Sequence, residues 1–200
     1  IMKSDSQYVL PDFTSKISNK EDAKVIIELG ARDCVDTILL EQIYPNAKIY
    51  SIECNPNQID ICKENLKKTN RTTFIQKAIT NFCGTRDFYI YPNNNPGASS
   101  LYEHIEDSMT KASVDCITGK QLFEEYNLEH INVLNMDIQG SEYEALLSFE
   151  NYINNIDYII FEDDADRYKK PIQNNIHRFL ERNKFKLVYK QSDYLYKRIF

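Results

Sequence analysis

Residues 25–56 constrain this chain more than any other stretch. They begin Val-Ile-Ile-Glu-Leu-Gly-Ala-Arg-Asp, pass through a helical pattern, and end Lys-Ile-Tyr-Ser-Ile-Glu-Cys-Asn-Pro. An apolar run of strand length breaks at Gly30. A helix follows, then a second apolar run that ends in an acid, Glu53. This is a strand–turn–helix–strand unit whose second strand closes on a carboxylate. The spacing is roughly that at which such an acid meets a ribose. The unit therefore points to a parallel sheet and to a nucleotide-like cofactor.

The rest of the chain repeats the alternation. A strand is expected over 24–29, and a helix over 33–43 with Val35, Ile38, Leu39 and Ile43 on one face. Further strands are expected at 48–52 and 72–75, the latter running on to Ala78. Between them Asn55 and Pro56 open a helix that turns Ile59, Cys62 and Leu66 inward. Residues 86–91 alternate and read as an added strand. The run Pro-Asn-Asn-Asn-Pro-Gly at 92–97 excludes regular structure and predicts a mobile loop that closes over a substrate. Strands at 114–118, 131–136 and 156–161 follow, with a helix over 119–126. Ser141 and Glu144 form a capping box for the next helix. Pro171 opens the last helix, with Ile172, Ile176, Phe179 and Leu180 inward. Residues 185–189 and 194–199 make a closing antiparallel pair. The expected fold is α/β: a doubly wound, mostly parallel, Rossmann-like sheet with that pair at its C-terminal end. Residues 1–22 are polar and read as an N-terminal extension over the surface. Residues 23–200 form one domain.

Composition narrows the function. Apolar residues make up 42% and charged residues 27% of the 200, which is a globular composition. A net charge of −6 argues against binding nucleic acid through its phosphates. No apolar run reaches the length of a membrane span, and Ile1-Met2-Lys3-Ser4-Asp5 has no signal-peptide core. The cysteines, at 34, 54, 62, 83 and 116, are odd in number and include no Cys-x-x-Cys pair. That fits a reducing compartment, and the expected location is the cytoplasm. The sequence does not speak to oligomeric state.

Three segments together resemble the FkbM family of S-adenosylmethionine-dependent methyltransferases. Ile27-Glu28-Leu29-Gly30-Ala31-Arg32-Asp33 is similar to that family's Val-Gly-Ala-Asn-Asp-Gly turn. Ile52-Glu53-Cys54-Asn55-Pro56 is similar to its Phe-Glu-Pro-Asn-Pro strand end. Val133-Leu134-Asn135-Met136-Asp137-Ile138-Gln139-Gly140-Ser141-Glu142 is similar to its Lys-Ile-Asp-Val-Glu-Gly-Ala-Glu. Ala98-Ser99-Ser100-Leu101 also looks like a family element. The resemblance spans about residues 24–190. It implies a class I methyltransferase fold and an enzyme moving a methyl group from S-adenosylmethionine to a hydroxyl of a sugar or other polyhydroxylated small molecule. It places Glu28, Gly30, Ala31, Glu53, Cys54 and Ala78 around the cofactor. Arg32 stands where the family has Asn. Cys34 stands where it has a second glycine, which predicts a side chain narrowing the turn.

Each candidate has a plainer reading beside it. Gly30 is also what any strand-to-helix corner uses. Glu53 can be a solvated acid at a strand end, or it can take both ribose hydroxyls in bidentate fashion. Glu28 is a carboxylate inside an apolar strand and needs a partner. Asp137 ends a buried strand at the ligand-facing edge and is the catalytic candidate; otherwise it serves the following helix dipole. Glu142 and Glu144 suit dipole and capping roles. Glu162, Asp163, Asp164 and Asp166 cluster after the 156–161 strand. Asp137, Glu162 and Asp163 could converge on a hard cation such as Mg²⁺, and a solvated acidic loop is the alternative. His104 follows the Ser99-Ser100 loop and could act as a base, although nothing beyond its position says so. Two other functions stay open at this point: a binding module that keeps the fold without catalysis, and a nicotinamide-dependent oxidoreductase. The second lacks a full Gly-x-Gly-x-x-Gly and has no role for the Asp137 segment.

Overall fold

The computed structural model describes residues 6–92, 95–105, 107–163, 165–169 and 175–199. In chain order the elements are α1 (Pro11–Thr14), β1 (Val25–Leu29), α2 (Val35–Ile43), β2 (Lys48–Ile52), α3 (Ile59–Leu66), β3 (Thr72–Ile75), β4 (Ala78–Ile79), β5 (Gly84–Ile90), β6 (Thr110–Ile117), α4 (Gly119–Glu125), β7 (Ile131–Met136), α5 (Glu142–Leu147), β8 (Ile156–Glu162), α6 (Ile176–Arg182), β9 (Phe185–Lys190) and β10 (Asp193–Arg198). Seven strands form one sheet in the order β3-β2-β1-β7-β8-β10-β9. The five from β3 to β8 are parallel, and β10 runs antiparallel to both β8 and β9. The chain reverses its winding between β1 and β7, so ligands are expected above the carboxyl ends of these two strands.

The central strands are buried on both faces, and their side chains alternate between two cores. Ile27 and Leu29, with Leu134, Met136, Ile159 and Phe161, join the core under α4, α5 and α6. Ile26, Val133, Tyr158 and Ile160 face the other way, onto Leu40 and Tyr44.

Four expectations change. Asn55 and Pro56 do not open α3, which begins at Ile59 with Gln58 as its N-cap; the Asn55 side chain instead accepts the Asn57 N–H at 3.1 Å in the turn before it. The N-terminal segment does not lie over the surface. Tyr8, Val9, Phe13 and Ile17 are buried in that second core, with Phe13 fully so. A buried Phe contributes about 1.5–3 kcal/mol, so this segment is part of the domain's packing. Ala78 does not extend β3. It belongs to β4, in a separate three-stranded sheet ordered β4-β6-β5. Ser141 is not a capping box: its side chain makes no cap bond, and Glu142 Oε1 instead accepts the Ile138 and Gly140 N–H groups at 3.0 and 3.3 Å. The capping box sits at α4, from Thr118 and Gln121. Pro171 and Ile172 lie outside the described residues, and α6 begins at Ile176. No described helix is long and apolar enough to cross a membrane.

Candidate active site

Gly30 joins the first and third motifs. Its φ is +81°, a region that glycine enters without strain. A Cβ there would stand 1.9 Å from the Asp137 carbonyl oxygen. The Asp137 N–H donates to the Leu29 carbonyl at 2.9 Å, so β1 and β7 remain paired up to the turn. The Gly30 and Ala31 N–H groups both donate to the Ile52 carbonyl, at 2.9 and 3.1 Å. The ends of β1, β2 and β7 are thus fastened to each other by main chain.

Above them lies a cleft enclosing about 760 Å³, counting the space open at its mouth. Ile52, Ala78, Ile79, Phe88 and Leu101 give it apolar walls, and Gly30, Glu53, Cys54 and Asp137 line it. Glu53 is 7% exposed. Its Oε1 accepts the Cys54 and Asn55 N–H groups at 2.8 and 2.6 Å, and its Oε2 accepts the Arg32 N–H at 2.8 Å. Burial pushes its carboxyl from the ordinary 4.5 up to about 7, against the lowering by those N–H groups and with a further rise from Asp137. A carboxylate has about four acceptor positions, so one, on Oε2, is left. The two-oxygen grip on a ribose expected from the sequence would need acceptor positions on both oxygens, and those of Oε1 are taken by main chain. Burial also raises the Cys54 thiol well above its ordinary value, which keeps it protonated.

Glu28 is not part of this wall. It is fully buried beneath it, and takes hydroxyl donors from Tyr8 at 3.0 Å, Thr37 at 2.5 Å and Ser51 at 3.1 Å. Burial raises it to about 8, although those hydroxyls lower it. Ala31 also turns away and packs with Cys34 and Cys62. Cys34 has a φ of 60°, where the resembling family's glycine would sit freely. Its side chain is fully buried, 3.4 Å from the Ser51 hydroxyl, so it does not narrow the turn.

Two residues that sequence reasoning missed do face the cleft. Asp36 is 5% exposed, with Oδ2 accepting the Ser6 hydroxyl at 2.6 Å and Oδ1 without a hydrogen-bond partner. The Ser141 hydroxyl is likewise buried and unpartnered. A polar residue on a helix beside Gly30 was the only signal for Asp36. The signal for Ser141 was absorbed by its capping pattern.

A second, polar groove adjoins the first. Gln7, Asn95, Gln139, Glu162, Arg167 and Asp193 are among its lining residues. Ser6, Arg32, Gly97 and Asp137 belong to both. Asp137 Oδ1 accepts the Gln139 side-chain amide at 2.5 Å, and the same nitrogen reaches Glu162 Oε2 at 3.1 Å. The loop that was expected to be mobile forms one wall. The Ser99 hydroxyl accepts the Tyr91 N–H at 3.0 Å, and the Ser100 hydroxyl donates to the Gln139 carbonyl at 2.6 Å. Asn93 and Asn94 of that loop lie outside the described residues.

The acidic cluster does not assemble as expected. Asp163 pairs with His177 Nε2 at 3.3 Å, while Glu162 turns to Gln139. Asp137 and Glu162 therefore meet at the Gln139 amide, while Asp163 is directed to His177. Among the described residues no group of three His, Cys, Asp or Glu side chains is placed to hold a cation, and Asp164 lies outside those residues. Glu144 is no capping acid either: it is buried against Arg86 at 3.1 Å, with the Thr80 and Tyr102 hydroxyls on it. His104 is held by Asp107 at 3.1 Å and by the edges of Tyr91 and Tyr168, and lines neither the cleft nor the groove.

Comparison with known proteins adds an independent line. A family model described as the methyltransferase FkbM domain matches residues 30–187. The 2-O-methyltransferase NoeI of Sinorhizobium fredii (strain NBRC 101917 / NGR234) is 24% identical over 161 residues, covering 72% of this chain and 65% of that protein. The chain thus spans less than two thirds of that relative. Among solved structures, a putative caffeoyl-CoA O-methyltransferase from Staphylococcus aureus superposes with a TM-score of 0.52 at 10% identity, over 98% of this chain and 84% of the other. TrmK of M. capricolum, bound to S-adenosyl-homocysteine, gives 0.50 at 12% identity, over 96% and 66%. At these identities the structural likeness establishes the fold.

Proposed function

The chain belongs to the FkbM methyltransferase family, and from that premise we propose that it transfers a methyl group from S-adenosylmethionine to a hydroxyl of a sugar or similar polyhydroxylated small molecule. The observation that carries this reading is the position of Asp137, in the wall shared by an apolar cleft and a polar groove. The cleft suits an adenosine, and the groove suits a molecule rich in hydroxyls.

The cleft residues fit such a cofactor on two counts. Asp36 and Ser141 present buried oxygens with no protein partner, which a ligand's ammonium or hydroxyl would satisfy. Glu53 keeps one acceptor position for a ribose hydroxyl. In this reading Gly30 lets the main chain approach the ligand, and Ile52, Ala78, Ile79, Phe88 and Leu101 enclose the base. The cofactor, when bound, supplies a methyl group on a positively charged sulfur. The protein's share is mainly alignment of the acceptor oxygen with that methyl. Asp137 orients the acceptor hydroxyl and takes its proton as the oxygen attacks; a carboxylate is a weak base for an alcohol, so orientation is its larger contribution. The free cysteines fit a reducing compartment, and we include a cytoplasmic location in the proposal.

Two measurements test the reading. Calorimetry should show S-adenosylmethionine binding where NAD does not. Radiolabelled methyl should pass to at least one of a panel of methyl glycosides, and Asp137→Asn should lower that rate at least about a hundredfold while the cofactor still binds. Full activity of Asp137→Asn would remove the catalytic assignment. Cofactor binding with no transfer to any glycoside would favour a binding module.

A further inference from the structure

Gln139 joins the groove to the loop above it. It is 8% exposed, and its φ of 50° is a conformation that a non-glycine residue holds only under constraint. Its carbonyl is held by the Ser100 hydroxyl at 2.6 Å. Its side-chain oxygen accepts the Tyr168 hydroxyl at 2.9 Å, which also reaches the Ala98 carbonyl at 3.1 Å. Its side-chain nitrogen faces Asp137 at 2.5 Å and Glu162 at 3.1 Å. The amide has two N–H donors on that nitrogen, one for each carboxylate. The flipped amide would set its oxygen against both acids, so the surroundings determine its orientation.

Asp137 and Glu162 end strands that pair as neighbours in the sheet, with Met136 opposite Phe161. Two carboxylates brought this close repel each other unless a donor lies between them. The Gln139 amide is one such donor, and it is neutral. It can hold both acids in place without adding a charge to the groove, and it links Asp137 to the loop through Tyr168.

We propose that Gln139 is the positioning residue of this site: its side-chain amide, seated between Asp137 and Glu162, aims the Asp137 carboxylate at the acceptor hydroxyl. The inference rests on the reading of Asp137 given above. Gln139 itself need not touch the acceptor. It fixes one oxygen of the Asp137 carboxylate, Oδ1, by a hydrogen bond whose other end is set by Glu162 and Tyr168.

The variants separate positioning from loop anchoring. Gln139→Met keeps the length of the side chain and loses both the donor to Asp137 and the acceptor for Tyr168, with no charge added. Tyr168→Phe keeps the donor and loosens the loop. In ¹⁵N spectra of the full chain, the Gln139 side-chain amide is assigned by its loss in Gln139→Met. Its signals should shift in both Asp137→Asn and Glu162→Gln, and signals unmoved in both would overturn the bridge. With the methyl glycosides as acceptors, Gln139→Met should lower kcat by about ten- to hundredfold, the scale of an ångström-sized misplacement. KM for S-adenosylmethionine should stay within about twofold, since only the acceptor side is disturbed. Tyr168→Phe should cost far less. Wild-type kcat in Gln139→Met, or an equal loss in Tyr168→Phe, would reduce Gln139 to a loop anchor. Should Gln139→Met not fold, Gln139→Leu takes its place. A fully active Asp137→Asn with the amide signals still shifting would sink the Asp137 reading rather than the bridge. If no glycoside is methylated, the spectra alone decide.

Discussion

The two halves of the site are built from different materials. Over β1 and β2, main chain does the holding: Glu53 takes three backbone N–H groups, and Gly30 lies against the Asp137 carbonyl. Over β7 and β8, side chains do it, through Asp137, Gln139, Glu162 and Tyr168. Main-chain contacts come with the fold and tolerate little change. Side-chain contacts can be exchanged one at a time. On the reading proposed above, the first half would hold the cofactor and the second the acceptor.

The most direct way to break this contrast is Gly30→Ala. Its Cβ has no room beside Asp137, and its φ is unfavourable for alanine. We expect a loss on the order of 3 kcal/mol or more, read as a lower denaturant midpoint and lost cofactor binding. An unchanged midpoint would mean that the turn is not set by main-chain contact.

Glu53→Gln tests the same half more finely. Cofactor affinity should fall by about 1–3 kcal/mol, as for a lost charged hydrogen bond. Because Glu53 titrates near 7 and a ribose hydroxyl prefers the ionised form, wild-type affinity should weaken as pH falls through about 7. In Glu53→Gln that slope should vanish. Calorimetry at pH 6 and 8 measures both effects.

Glu28 lies beneath the cleft, so its substitution is expected to change stability more than binding. Its folded value, about 8, lies above its ordinary 4.5. Its contribution is therefore fully present below about 4.5 and is lost as pH rises through about 8. Urea midpoints of the wild type should drop between pH 6 and 9 relative to those of Glu28→Gln. Parallel curves would show that Glu28 is already ionised in the folded protein.

The smallest expected effect belongs to metal removal. With Glu162 held by Gln139 and Asp163 by His177, a chelator should leave methyl transfer unchanged. A loss restored by added Mg²⁺ would reopen the acidic cluster as a cation site.

The strands and their order of appearance were legible because burial on both faces demands unbroken apolar runs, as at 48–52 and 131–136, and because glycine and proline mark the corners. The short strand β4 of the three-stranded sheet was not, since its two residues, Ala78 and Ile79, carry no period. Glu53 and Asp137 were legible as strand-ending acids. The family resemblance put Glu28 near the cofactor, yet alternation along β1 turns it toward Tyr8, twenty residues earlier.

Local pattern by itself determined the α/β class, the parallel core, the closing antiparallel pair and the two acids at strand ends, because periodicity and turn chemistry are properties of neighbouring residues. Only the tertiary structure decided that the N-terminal segment is core, that Asp36 and Ser141 face the cleft, and that Asp163 leaves Glu162 for His177. It alone placed Gln139 between two acids from different strands. Those outcomes depend on which distant groups share a low-dielectric space and must satisfy one another there, and that competition is settled only when the sheet is assembled.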